Sequence, residues 1–396
     1  MKHAFFLCAL IGAVILALTV GSRDALAVDR TFAGSAQIDY NFVPTQKGAD
    51  ADVQPQGPGS YTFDAFTIEA AMKVAVDLSD HLSANVKVCF GCHGFEADMA
   101  YFDYRVADEL NFRMGRFSPS FGSFNLRHDP ANHKLSDKPL AYDMGRMLRR
   151  GDWKMGVLPA PFPDNGFEVN GTHWFGDSVQ FDYAAYAVSG FKAQRDAPEL
   201  DWITSRSGNA YYVDNNGRPT VGGRAALTTK LSNQSDLTFG GSAMYGTYDA
   251  NNDVWYEILG ADITLRIVRT AIRMEYLVRR QSFDTTKQAQ FKYLVPAGAQ
   301  YDYFEKHGAY LEIEQPLSPK VDVILRGDGL YRVGNVQLNQ PLSQKSSIAR
   351  MTLGTAYAIE QNLRLKASTE FWAFSDPDSR GHEQEVSFHL SAVATF

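Results

Sequence analysis

Two cysteines and a histidine lie close together in a cysteine-poor chain: Cys89, Cys92 and His93, in the segment CFGCH. This C-x-x-C-H spacing is the one that attaches a c-type haem, with two thioether bonds to the porphyrin and an imidazole on the iron. The one further cysteine, Cys8, lies in an amino-terminal segment that we expect to be removed. The motif therefore predicts one covalent haem c, with His93 as the proximal iron ligand.

Three other interpretations of the same residues remain open. Cys89 and Cys92 can form a small disulfide in an oxidising compartment. With His93 they can bind zinc, but no fourth ligand follows at a familiar spacing. The segment can also be an inert turn. We favour haem, and the disulfide is the main alternative.

The second axial ligand of such a haem is left open by the sequence. His128 and His133 are the distal candidates that we favour, and Met144, Met147 and Met99 are alternatives. Two histidines give an iron of lower reduction potential than a histidine and a methionine. An open sixth position would instead suit small-ligand binding.

The spacing of the motif also limits its geometry. Side chains at positions 89 and 92 of a continuous strand point to opposite faces, so the chain has to turn between them. Gly91 and Gly94 permit such a turn because glycine accepts positive φ. We therefore expect a hairpin or bulge at the outer end of a strand pair, with the haem inside the mouth and basic side chains near its propionates.

The amino terminus is typical of an exported protein. A polar start, an apolar run from Ala4 to Val20 and Ala25-Leu26-Ala27 predict a signal peptide at residues 1–27. Its removal, with Lys2, Arg23 and Asp24, changes the formal net charge from -7 to -8, which argues against a nucleic-acid partner. Residues 28–396 are then expected to form one domain.

The composition and patterning of that domain predict an all-β, transmembrane antiparallel β-barrel. Aromatics make up 13% of the chain, 32 residues are glycine, and no stretch reaches the ~18 apolar residues of a spanning helix. Segments with period-2 alternation predict sixteen strands, with short turns after even-numbered strands and long loops after odd ones. The expected ranges are 30–43, 61–78, 83–90, 95–106, 110–118, 167–176, 178–190, 220–230, 237–249, 254–267, 269–283, 306–316, 320–334, 346–359, 362–374 and 384–396.

Charges on one face of these segments favour a membrane barrel over a soluble all-β protein. Leu363, Leu365 and Phe371 alternate with Arg364, Lys366 and Glu370, which suits lipid outside and water inside. The last segment ends on Phe396 and resembles the C-terminal signature of bacterial outer-membrane proteins. These features predict insertion in the lipid bilayer of a Gram-negative-type cell outer membrane.

The longest loop, predicted at residues 119–166, begins with a phrase that carries a family resemblance. Arg113-Met-Gly-Arg116-Phe-Ser-Pro119, a strand that runs into a long loop, resembles the phosphate-selective porin-like family. The resemblance implies sixteen strands, a third extracellular loop folded into the lumen as a pore constriction, and a homotrimer.

The same loop is locally basic. From residue 127 to residue 154 there are seven Lys or Arg against four Asp. A basic constriction would favour anions, although lumen acids such as Asp322 and Glu370 would offset it. The predicted constriction residues are Arg127, Lys134, Lys138, Arg146, Arg149 and Arg150.

Two functions follow. The first is a porin-like barrel with one haem that acts in electron transfer or as a haem-bearing channel, with a periplasmic or extracellular cytochrome as partner. The second is a plain diffusion porin for small solutes, anions among them, with a Cys89–Cys92 disulfide. No Ser-His-Asp set, paired-carboxylate motif or phosphate-binding glycine loop favours an enzyme.

Overall fold

The chain forms one closed barrel of sixteen antiparallel strands. A computed structural model describes residues 29–42, 66–91, 94–143, 156–193, 200–201, 213–282, 293–294, 303–334, 337–338, 346–376 and 381–396. The strands are β1 Arg30–Phe42, β2 Phe66–Asp77, β3 Leu82–Gly91, β4 Gly94–Ala107, β5 Leu110–Phe117, β6 Asp164–Phe175, β7 Val179–Val188, β8 Thr220–Ser232, β9 Ser235–Thr247, β10 Trp255–Ile267, β11 Thr270–Ser282, β12 Tyr303–Pro316, β13 Val321–Gly334, β14 Ser346–Glu360, β15 Leu363–Asp376 and β16 Gly381–Thr395.

Each strand pairs with its sequence neighbour, and β1 closes the barrel against β16 with pairs from Ser35↔Thr395 to Phe42↔Phe388. Two short two-stranded sheets, Lys192–Ala193 with Leu200–Asp201 and Tyr293–Leu294 with Gln337–Leu338, lie outside this cylinder. The predicted strand count and order are confirmed. The connections after even-numbered strands are short as predicted, but two of those after odd-numbered strands, β3–β4 and β15–β16, are also short. No helix in the described ranges is long and apolar enough to span a membrane.

The distribution of side chains is inverted relative to a water-soluble protein. On β15, Leu365 and Phe371 are exposed on the outside, whereas Lys366 and Glu370 are buried on the inside. Met274 and Tyr276 of β11 likewise face outward, with Glu275 between them fully buried. The apolar outer face and charged inner face, predicted from the alternation, are those of a barrel that meets lipid outside.

The connection from β5 to β6, residues 118–163, is called the third loop here, and its described parts, residues 118–143 and 156–163, fold inside this barrel. Two 3-10 turns, Asn125–Arg127 and Leu140–Tyr142, shape its described part. Its buried apolar side chains pack against lumen-facing side chains of the wall, among them Tyr256, Leu277 and Tyr310. Ala160 and Pro161 are joined by a cis peptide bond.

Glycines on the inner wall make room for this packing. A Cβ added at Gly308 of β12 would lie 2.8 Å from the Cβ of Ala141 and 2.9 Å from Cγ2 of Val157, both in the third loop. A Cβ at Gly354 of β14 would lie 2.3 Å from Cδ2 of Leu135. The third loop therefore packs so closely on the wall at these two glycines that one added carbon atom would clash with it.

Candidate functional site

The C-x-x-C-H motif lies at the tip of the β3–β4 hairpin. β3 ends at Gly91 and β4 begins at Gly94, and these two glycines pair with each other. The predicted hairpin at the long-loop end of this strand pair is therefore present. Cys92 and His93 lie outside the described residues, so haem ligation and the disulfide both remain predictions.

Cys89 faces the lumen. It follows the alternation of Asn85 and Lys87, which are buried on the inner wall, and its thiol donates a hydrogen bond to Oδ2 of Asp98 at 3.3 Å. The β3–β4 register shifts between Lys87 and Val88, so Asp98 is an extra residue on β4 that bulges toward the lumen. The bulge brings a buried carboxylate beside the thiol.

Lys87 connects this hairpin to the third loop. Its Nζ lies 3.3 Å from Oδ2 of Asp98, 2.5 Å from Oδ1 of Asp129 and 3.1 Å from Nε2 of His128, and that Nε2 lies 3.3 Å from Oδ1 of Asp129. Nδ1 of His128 donates to the carbonyl of Asn125 at 2.6 Å. Burial alone would raise the pKa of Asp129, but His128 and the Lys87 ammonium hold it well below its usual range.

His133, the other distal candidate, has different neighbours. Its Nδ1 donates to the carbonyl of Leu135 at 2.8 Å, and its ring lies 5.8 Å from that of Phe124. Burial, together with Lys366 and other cations, lowers its pKa well below the usual value. His133 is therefore packed within the third loop near β15, whereas His128 contacts the strand that carries Cys89.

The described constriction candidates lie in the lumen and are paired with acids. Arg127 lies 3.3 Å from Glu312, Lys134 lies 2.6 Å from Asp322, and Lys138 lies 4.0 Å from Glu69. Such pairing lowers the field that a passing anion would feel. Arg146, Arg149 and Arg150, with Met144 and Met147, lie outside the described residues.

A clamp that the sequence did not indicate holds the third loop to the wall. Asp137 of the loop accepts hydrogen bonds from Arg326 of β13, at 2.7 Å, and from Arg350 of β14. Arg350 also binds Asp328 at 2.5 Å and Glu370 at 3.2 Å, and all five side chains are buried. Alternation alone predicted that Arg326 and Glu370 face inward, but not which loop residue they meet.

A cavity of about 1240 Å³ lies beneath the third loop at the short-turn end of the barrel. Its arginines are paired: Arg105 with Asp108, Arg113 with Asp103 and Glu168, and Arg224 with Asp262. Asp77, Asp80 and Asp182 also line it, with no ion pair within the described part of the chain. The cavity therefore carries a surplus of negative charge.

The described residues near Cys89 offer little to a metal ion on their own. No group of three or more His, Cys, Asp or Glu among them is arranged to hold a metal ion. A c-type haem fits the hairpin in one respect, because Cys89 points inward. The nearby Lys87 ammonium is already bound by Asp98 and Asp129, so a propionate would have to displace one of these carboxylates.

Known structures share this architecture. The outer membrane channel DcaP of Acinetobacter baumannii aligns with a TM-score of 0.56 at 12% identity over 95% of this chain and 99% of that one. The anion-selective porin from Comamonas acidovorans gives 0.53 at 12% identity, over 93% and 100%. The chain has the porin fold.

The in-vitro folded OmpT of Vibrio cholerae, an outer membrane protein, gives 0.53 at 11% identity over 94% and 99%. No protein-family model matches the sequence, and no curated protein matches it either. At such low identity the likeness to porins establishes the fold, while solute and cofactor have to be argued from this chain's own residues.

Proposed function

We propose that this protein is a porin-like channel of the outer membrane that carries one covalent haem c at Cys89, Cys92 and His93. The outer-membrane location is supported by the predicted signal peptide and by the apolar exterior with a charged lumen. The channel role is supported by the porin fold and by the polar cavity at the short-turn end.

The haem rests on one observation above all. The two cysteines expected in the mature chain both belong to C-x-x-C-H, and the first of them faces the lumen from a hairpin tip. Cys89 and Cys92 would hold the porphyrin and His93 the iron, while His128 or His133 would lie on the distal side. The haem would supply one-electron chemistry at the rim of the barrel.

Dimensions limit the electron-transfer role. The apolar band of such a barrel is about 25 Å tall, and one haem at the rim does not bridge it. We therefore propose that the haem relays electrons to or from a partner cytochrome, or that it modifies a conducting lumen. The haem-bearing hairpin is the surface where such a partner would act.

Haem staining of the denatured protein on a gel tests the cofactor. The wild-type band should stain, and a Cys89→Ser/Cys92→Ser variant of equal abundance should not. An unstained wild-type band would contradict the haem.

Planar-bilayer recordings of the same preparation test the channel independently of the cofactor. Ion current through the purified wild-type protein, or through a variant whose third loop is released, would support the channel role. No current through either would contradict it.

A plain diffusion porin with a Cys89–Cys92 disulfide is the second candidate. The observation that favours it is the fold itself, which resembles that of the anion-selective porin from Comamonas acidovorans without any need for haem. Such a protein would be colourless and would react with thiol reagents only after reduction. The lumen and its third loop would be unchanged.

A further inference from the structure

We infer that the third loop is a plug that closes the resting channel, and that Asp137 is the clamp that holds it shut. This inference rests on the proposed channel function. It concerns how the described loop residues meet the barrel wall, and it does not depend on the haem.

The first observation is the reach of the loop around the barrel. Its polar contacts extend from Gln37 of β1, which donates to the carbonyl of Ser136 at 2.9 Å, to Lys366 of β15, which donates to the carbonyl of Pro130 at 2.8 Å. Between them lie contacts with β2, β3, β6, β9 and β11 to β14. These contacts reach ten of the sixteen strands, so the loop extends across the lumen and does not lie along one side of the wall.

The second observation is how completely the loop is buried. Phe121, Phe124, Tyr142, Val157 and Leu158 are all fully buried inside the barrel. Together with wall residues of β7 and β10 they belong to one apolar cluster. Apolar packing of this density excludes water and ions from the region that it occupies. The described cavity lies beneath this layer, with Ser120 and Leu126 of the loop in its lining.

The third observation is a buried loop carboxylate that two wall arginines bind. Asp137 is 1% exposed and is bound by Arg326 and Arg350, whose other partners, Asp328 and Glu370, belong to the wall. Loss of the Asp137 carboxylate leaves both arginines with wall carboxylates and with the loop carbonyl of Lys138, but removes the two ionic bonds between wall and loop. A buried ion pair is sensitive to the loss of one partner, so this residue controls the loop with little effect on the wall.

The wall is also shaped to receive the loop. The space over Gly308 is filled by Ala141 and Val157, so any larger side chain there pushes the loop away. Gly327 of β13 is the matched control, because its added Cβ would meet nothing closer than Sδ of Met351 at 3.9 Å. Asp236, which pairs with Arg266 at the short turn between β8 and β9, is the control for loss of an aspartate.

The test compares the full-length wild-type protein with Asp137→Asn and Gly308→Val, and with the controls Asp236→Asn and Gly327→Val. Amide exchange of residues 118–143 reports loop docking, and planar-bilayer current reports conduction. We expect loop exchange to rise about a hundredfold in Asp137→Asn. Mean conductance should rise several-fold in both loop variants, and the controls should match a largely silent wild type.

Each departure has a distinct meaning. A wild type that conducts as freely as the loop variants would overturn the plug and leave the channel standing. A loop that exchanges fast in the variants while no current flows would overturn the channel itself. A loop that stays protected in both variants would overturn the assignment of Asp137 as the clamp.

Discussion

Nζ of Lys87 and Nε2 of His128 lie 3.1 Å apart and join the strand that carries Cys89 to the third loop. This contact distinguishes the surroundings of His128 from those of His133, the two distal-ligand candidates between which the sequence does not choose. His128 is bound to the hairpin strand through Lys87, whereas His133 is held by Leu135 and Phe124 on the side of β15. The contact brings His128 to the strand that carries Cys89, but it also occupies Nε2, which would have to leave Lys87 to bind a haem iron, whereas the buried Nε2 of His133 has no hydrogen-bond partner among the described residues.

The first prediction concerns these histidines. His128→Ala should change the haem from a six-coordinate, low-spin to a five-coordinate, high-spin iron, because an axial ligand is lost. His133→Ala should leave the spin state unchanged. Electron paramagnetic resonance of the oxidised protein measures the difference. The reverse pattern would assign His133 instead.

The second prediction concerns the closure of the barrel. Gly34 of β1 accepts a hydrogen bond from the amide of Phe396, and a Cβ at Gly34 would lie 2.2 Å from the Phe396 ring and 2.8 Å from the carbonyl of Ala71. The aromatic ring covers the glycine on the outer face. Gly34→Val should therefore destabilise the barrel by about 1–3 kcal/mol.

The measurement for this variant is denaturant unfolding in detergent, followed by the shift in gel mobility of the folded barrel. Gly241→Val is the control, since a Cβ at Gly241 would have nothing within 4 Å. Equal unfolding midpoints for the two variants would show that the packing of Phe396 on Gly34 does not contribute to the stability of the barrel.

The third prediction concerns pH and the docking of the third loop. Burial and the cations Lys366, Lys138, Arg127 and Arg326 lower the pKa of His133, so this side chain is neutral when the loop is docked. In a released loop its pKa returns to about 6.5. Docking is then fully stable above about pH 6.5 and weakens as the pH falls below that value, because only the released loop takes up the proton.

Amide exchange of residues 118–143 at pH 7.5 and pH 5 checks this, after correction for the intrinsic exchange rate. Protection should be lower at pH 5 in the wild type, and the difference should shrink in His133→Gln. If the His133→Gln variant keeps the full pH dependence, a titratable group other than His133 causes it.

The fourth prediction concerns ion selectivity. The described cations of the third loop are paired with Glu312, Asp322 and Glu69, whereas Asp77 and Asp80 add unpaired negative charge to the cavity beneath. We therefore expect an open channel to be cation-selective, because the negative charge of the cavity outweighs the paired cations of the third loop. In the Asp137→Asn background, Asp77→Asn/Asp80→Asn should shift the reversal potential in a salt gradient toward anion preference. No shift would show that these acids lie off the conduction path.

Most of the wall was predictable from sequence, and the reason is period-2 alternation. Leu365, Lys366, Phe371 and Glu370 could be assigned to the two faces because a strand allows only two directions. Ranges differ by a few residues at the ends; β6, for example, begins at Asp164 rather than at residue 167. Strand ends depend on neighbours and are less well determined by local sequence.

The contacts of the third loop were not predictable in the same way. Asp137 meets Arg350 across more than two hundred residues of chain, and no local pattern specifies that pair. The choice between His128 and His133 likewise depends on which wall strand each one reaches. The available signals were one of four Asp in a basic loop and an Arg on an inner strand face, and they carry no information on pairing.

The central claim, that a porin-fold barrel carries a haem c on the β3–β4 hairpin, is tested most directly by the intact mass of the purified protein. We predict the mass of residues 28–396 plus one haem, since thioether formation adds the thiols across the vinyl groups without loss of atoms. A Cys89→Ser/Cys92→Ser variant should lack the added mass. A wild type two hydrogens lighter than the bare polypeptide would show a disulfide and contradict the claim.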